Sequence, residues 1–157
     1  MTTLAKAGFC CVVLMALAGC HENKFLSLRQ RLDGMPEAQA FSEFRKLSPS
    51  DQVGLFVWEF EHSMPPASRY GSVMNESGKS VTPLLLNNAI STDNYLLNLT
   101  ILDDLSTFPK EDLTMVRPAD IKVALSRCRS LAHMTPAGFC LRAQSRLEKA
   151  IEIDLSH

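Results

Sequence analysis

The chain has 157 residues, 16 Lys or Arg against 17 Asp or Glu, and a formal charge of −1. That balance excludes the basic footprint of a nucleic-acid binder, and 46% apolar content with 21% charge excludes a chain too polar to bury a core. The length predicts one domain, from which the first twenty residues stand apart in composition.

Between Met1 and Gly19 there is a single charge, Lys6, followed by the apolar run Ala7 to Ala18. A run of about twelve residues is too short to span roughly 30 Å of hydrocarbon as a helix. A cationic start, a short greasy stretch and small residues at its end instead mark a secretory signal. Leu17-Ala18-Gly19-Cys20 closely resembles the bacterial lipobox. The resemblance implies that a diacylglyceryl group is joined to the Cys20 thiol and that the peptide is cut just before it. Residues 1–19 are then a cleaved signal, and Cys20 is the acylated first residue of the mature chain. His21, rather than Asp, follows the cysteine. By resemblance to Gram-negative lipoproteins this implies the outer membrane, facing the periplasm. Ala16-Leu17-Ala18 also fits an ordinary A-x-A cleavage site, whose product is a soluble secreted protein.

With the anchor in place, residues 20–24 form a tether reaching roughly 15 Å, and 25–157 form a single helical domain held close to the membrane. Each buried CH₂ of the acyl chains contributes about 0.8 kcal/mol to that attachment. Cys10 and Cys11 leave with the signal and Cys20 is acylated, so of the five cysteines Cys128 and Cys140 remain. An exported compartment permits them to pair.

Prolines punctuate the mature chain. Pro36, Pro49, Pro83, Pro118 and Pro136 each precede a helical apolar pattern, as suits the first helical position, where no N–H is needed. Residues 36–47 put Ala40, Phe41, Phe44 and Leu47 on one face. Residues 49–64 open with Ser48 as N-cap and carry Val53, Phe56, Val57, Phe60 and Met64 at helical spacing. Met64-Pro65-Pro66 ends that helix, and 65–79 read as a loop that has room for one short turn of helix. Residues 80–91 and 92–107 form the most apolar helical pair, with Thr92-Asp93 as a capped turn between them. The run 113–116 is ambiguous; 118–132 and 136–153 make a last hairpin. With its turn near Met134, Cys128 and Cys140 fall at equal height on antiparallel helices, which predicts a disulfide.

No alternating strand pattern extends over a useful length, so the fold class is all-α: a compact helical bundle or a short HEAT-like stack of helical hairpins. Residues 80–107, with a Pro and apolar run in the first helix and an Asp in the turn, resemble one HEAT unit, although the regular Arg of the second helix is missing.

The chemical motifs are incomplete. Ser77-Gly78-Lys79-Ser80 looks like the end of a phosphate-binding loop, but Val73 stands where the first glycine belongs. His21-Glu22 opens like a zinc-protease helix, but Phe25 replaces its second histidine. Cys128, His133 and Cys140 have no fourth ligand at metal-site spacing. No cofactor or metal is expected. Glu59, Glu61 and His62 are close enough in sequence for acid/base work, though on a helix they also suit an exposed face. Asn98-Leu99-Thr100 matches a glycosylation sequon that a bacterial lipobox makes a chance match.

Charge is unevenly divided: residues 50–112 hold nine acids against three bases, and 113–157 seven bases against four acids. Neighbouring helices can compensate one another, or an acidic face can steer a basic partner. Residues 92–107 are apolar too widely for one stripe, so that helix is central to the core or keeps a second apolar face for a partner. The expectation is a non-enzymatic protein-binding lipoprotein with Asp93, Asp103 and Asp104 at the contact surface. An immunity or inhibitor protein against an exported toxin is the concrete alternative. A cell-envelope hydrolase would need Glu59, His62 and another carboxylate joined in a cleft.

Overall fold

The computed structural model describes residues 24–66, 68–132 and 138–152, and among these all regular structure is helical. The signal region, Cys20 and the tether residues up to 23 lie outside the described residues. Lys24, expected to end a tether, lies in a helix instead: α1 covers 24–33 of the described residues. The stripe Phe25, Leu28, Leu32 carries it, and its docking is specific. The Phe25 ring lies where a side chain on Gly54 would stand, 2.2 Å from an added Cβ, so only glycine lets α1 approach there.

The following helices begin where the prolines and caps predict. Helix α2 spans Glu37–Arg45 and α3 spans Pro49–His62, whose N-cap Ser48 accepts from Asp51 N at 3.2 Å. Gln52, buried in α3, donates to the carbonyls of Leu47 (3.2 Å) and Arg45 (3.4 Å), satisfying the end of α2. The stretch expected as loop contains α4 (Gly71–Met74) and a 3₁₀ helix, Asn75–Ser80. Helices α5 (Thr82–Ser91) and α6 (Tyr95–Leu105) follow. The cap of α6 is Asn94, which accepts from Leu96 N and Leu97 N, rather than Thr92 or Asp93; Thr92 serves one step earlier by accepting from Asn94 N. The ambiguous run resolves into a short helix, α7 (Lys110–Leu113), ahead of α8 (Pro118–Leu131) and α9 (Gly138–Ile151).

The α5–α6 and α8–α9 hairpins pack first helix on first and second on second, α5 against α8 and α6 against α9, with α6 also meeting α8. This is the contact pattern of stacked helical hairpins. Helix α6 is therefore central: Leu97, Asn98, Ile101, Leu102 and Leu105 are all buried. Its broad apolar surface is core, apart from exposed Leu96. The first half joins through α3, which packs on α5 and α6. There Phe44 stacks on Tyr70 with ring centres 4.3 Å apart.

Cys128 and Cys140 form the predicted disulfide between α8 and α9, with Cα atoms 5.9 Å apart and both residues buried. Removing both sulfurs as Cys128→Ser with Cys140→Ser is expected to lower the unfolding free energy by about 3 kcal/mol, the loop-closure entropy of a chain segment this long. Denaturant titration measures that loss, and thiol labelling of the unreduced, denatured chain should leave both cysteines unmodified.

Candidate functional site

The most developed polar cluster centres on Glu59, in the last two turns of α3, whose side chain is only 4% exposed. One carboxylate oxygen accepts from Ser68 Oγ at 2.7 Å and Arg69 N at 3.3 Å. The other faces Arg29 Nε at 3.8 Å and Arg69 Nε at 3.9 Å. Asp33 closes the ring, with Arg69 at 2.7 Å and Arg29 at 3.3 Å. Arg69 also donates to the Tyr70 hydroxyl at 2.5 Å. Burial pushes that hydroxyl above its ordinary pKa, with Arg69 partly opposing. The cluster thus clamps α1 and the segment after Pro66 onto α3.

His62 stands apart from this carboxylate. Its ring stacks on Trp58, centres 4.4 Å apart, and its Nδ1 lies 2.8 Å from the Trp58 carbonyl as a donor. Glu61 is exposed. The structure therefore joins Glu59 to two guanidinium groups and does not bring His62 into hydrogen-bond contact with it. Both oxygens of that carboxylate are thus engaged, by arginine, hydroxyl and backbone.

The three acids expected at a contact surface go to different surroundings. Asp93 is exposed and pairs with Arg127, which also donates to the Thr92 carbonyl at 3.1 Å. Asp103 pairs with Arg146 of α9 at 3.1 Å. Asp104 turns inward: Oδ2 is buried without a hydrogen-bond partner and lies 3.3 Å from the place of a Gly71 Cβ. Burial, and secondarily the neighbouring Asp103, push the Asp104 carboxyl up to about 6. Adjacent acids on a helix point about 100° apart, which separates their fates.

The remaining motif residues also find structural employment. Gly78 has φ +45°, a left-handed conformation glycine tolerates, and an added Cβ would lie 2.4 Å from Asp112 Oδ2. A carboxylate beside that backbone opposes phosphate binding at Ser77–Ser80. Both sulfurs of the Cys128, His133 and Cys140 set are consumed in the disulfide, and His133 lies outside the described residues. Among the described residues no three His, Cys, Asp or Glu side chains gather to hold a metal ion, and no helix is long and apolar enough to cross a membrane.

The described surface carries hollows of unlike lining. One, of about 200 Å³, is lined by Leu113, Val116, Pro118, Ile121 and Ile151, with Lys110 and Thr114 beside them. Its one charged liner, Lys110, is paired with Glu152 at 2.5 Å. Another lies between α1 and the start of α3. Leu96, Val123, Met115 and Leu141 are half exposed or more, and Met64 is 93% exposed. No known protein family, curated protein or solved structure matches the chain.

Two substitutions test these assignments. Asp104 has a folded pKa above its unfolded value, so the protonated form is favoured by folding. The resulting stability is full below the unfolded pKa near 3.8 and is lost as pH rises through about 6. Asp104→Asn is expected to raise the unfolding free energy at pH 8 by at most about 3 kcal/mol and to leave it nearly unchanged at pH 3. Glu59→Ala should destabilise by about 2–3 kcal/mol, less than for a fully dry pair because Arg29 and Arg69 stay about one-third exposed. Urea titration of both variants, with His62→Ala as a near-neutral control, measures these shifts.

Proposed function

We propose that the chain is a bacterial lipoprotein, acylated on Cys20 and held on the periplasmic face of the outer membrane, whose helical domain binds another protein rather than catalysing a reaction. The observation that carries the binding reading is the employment of the acid/base residues. Glu59 is locked between Arg29, Arg69 and Ser68, and His62 is turned onto its own helix. The anchor rests on Leu17-Ala18-Gly19-Cys20, and two features support it. Helix α1 already covers residue 24, four positions past the residue that would be acylated. The Cys128–Cys140 bond suits an exported, oxidising compartment.

For the contact surface, this reading takes the exposed edge shared by α6 and α8. Leu96 lies just after Asp93 at the start of α6, and Val123 lies one turn before Arg127 on α8. The Asp93–Arg127 ion pair ties those two stretches together, so two half-exposed apolar side chains flank a charge pair. Apolar anchors beside a polar rim are the ingredients of a protein contact. Of the expected acids, Asp93 keeps a place in it.

Mass spectrometry of the protein extracted from membranes tests the anchor: the expected product begins at Cys20 and carries diacylglycerol, and Cys20→Ala releases it to the soluble fraction. A mature chain beginning elsewhere, or an equally membrane-bound Cys20→Ala variant, sinks the anchor. For the contact surface, a photocrosslinker at Leu96 should trap a discrete envelope protein that one at Ser145 does not. Val123→Asp should weaken that adduct without changing the melting temperature. A turnover activity of the purified chain that His62→Ala abolishes would replace the binding reading with the enzyme reading.

A further inference from the structure

The hollow between α1 and the start of α3 combines a cationic rim with an apolar floor. Lys24, Ser27, Leu28 and Arg31 line it from α1, opposite Leu47 and Asp51, around about 310 Å³ of open space. Positions 24, 28 and 31 form one stripe of the helix. Leu28 and Leu47 are partly buried against the core and make the floor. At the rim, Lys24 pairs with Asp51, and Glu43 nearby is held by Lys46 at 2.5 Å. Glu43 also feels Arg31, yet Arg31 makes no ion pair or hydrogen bond among the described residues. Among the described residues, an exposed guanidinium coupled to Glu43 only through space is thus the charge at the mouth of an amphipathic hollow without an ion-pair partner.

We infer that this hollow seats the phosphate headgroup of an anionic membrane lipid, with Arg31 bonding the phosphate and the glycerol region resting on Leu28 and Leu47. The inference rests on acylation of Cys20. Given that anchor, chain length decides the occupant. From Cys20 to Lys24 the backbone reaches at most roughly 15 Å, so the hollow stands within a short distance of the bilayer surface. The headgroup layer is itself roughly 5–7 Å deep. Arg31 lies seven residues past Lys24, about 10 Å along the helix, so both reach that layer when α1 lies along the membrane. A planar guanidinium matches phosphate oxygens in a bidentate fork, and one such cation near an anionic surface changes attachment by about fivefold.

The test uses the full acylated chain in vesicles of phosphatidylcholine, alone or mixed with phosphatidylglycerol, and reads amide hydrogen exchange across residues 24–33. The expected result is about fivefold slower exchange with phosphatidylglycerol present, abolished by high salt and by Arg31→Glu or Arg31→Gln. Both variants should float with the vesicles as the native chain does. Equal exchange in the two vesicle types, or protection that survives both Arg31 variants, overturns the headgroup seat while leaving the anchor standing. Protection reproduced by inorganic phosphate added to pure phosphatidylcholine vesicles overturns the lipid assignment in favour of a free-phosphate site. A chain that floats with neither vesicle overturns the anchor, and this seat with it.

Discussion

One buried side chain sets the register of the central helices. Asn98 sits in the middle of α6, with no exposed surface, and its amide nitrogen donates to the carbonyls of Ala89 on α5 (2.6 Å) and Ala124 on α8 (3.3 Å). Both acceptors belong to fully buried alanines, whose small side chains let the backbones come close. An amide left unpaired in such surroundings costs about 1–3 kcal/mol. Sliding α6 by a single turn against either neighbour would therefore break a bond that Leu–Leu packing alone would not protect. The apolar contacts of Leu97, Ile101, Leu102 and Leu105 supply most of the burial, but they are tolerant of rearrangement. Asn98 makes one arrangement of them preferable. Its complete burial also removes it as an attachment point for carbohydrate.

Around that centre, electrostatics works by local cancellation. The acidic middle and basic end of the chain meet across helices through Asp93 with Arg127 and Asp103 with Arg146, and Lys110 of the middle pairs in the opposite sense with Glu152. Exposed pairs of this kind contribute little individually. The pairs made by Asp93 and Asp103 consume acids that would otherwise belong to one continuous acidic face. What stays accessible beside α6 is mostly apolar, with Asp93 as its charged companion. That shifts the balance of a protein contact from steering toward packing.

Local signals made much of this legible in the sequence. Pro49, Pro118 and Ser48 mark helix starts through chemistry confined to one turn, and the two mature cysteines fall symmetrically about a turn, so helix class and disulfide followed from spacing. The cap of α6 was misplaced by two residues because Thr92, Asp93 and Asn94 are all competent cap formers; only the path of the chain selects Asn94. For helix α1 the signal in the sequence is the stripe of Phe25, Leu28 and Leu32. The Glu59 cluster joins residues about ten and about thirty positions apart along the chain, separations that periodicity does not register. Asp104 differs from Asp103 only in direction. The hint of its burial lay in Gly71, a small residue whose closeness to the carboxyl becomes meaningful after folding.

Many of the ionisable groups act on the attachment of a single helix, α1. The largest polar network binds α1 to the body of the fold: Lys24 to Asp51, Arg29 to Glu59, and Asp33 through Arg69 to the segment that leads into α4. Phe25 locks the same helix against Gly54. If Cys20 carries the acyl chains, any pull between a bound partner and the membrane passes through α1, the element nearest the anchor. A helix of about ten residues held by packing alone would fray under that load, since isolated helices of this length are marginal. Ionic clamps on one side and a ring seated on glycine on the other make the attachment rigid. On this reading, the carboxylates and guanidiniums that resemble catalytic equipment in the sequence serve to transmit force, and the exposed apolar edge of α6 and α8 is the surface they hold in position.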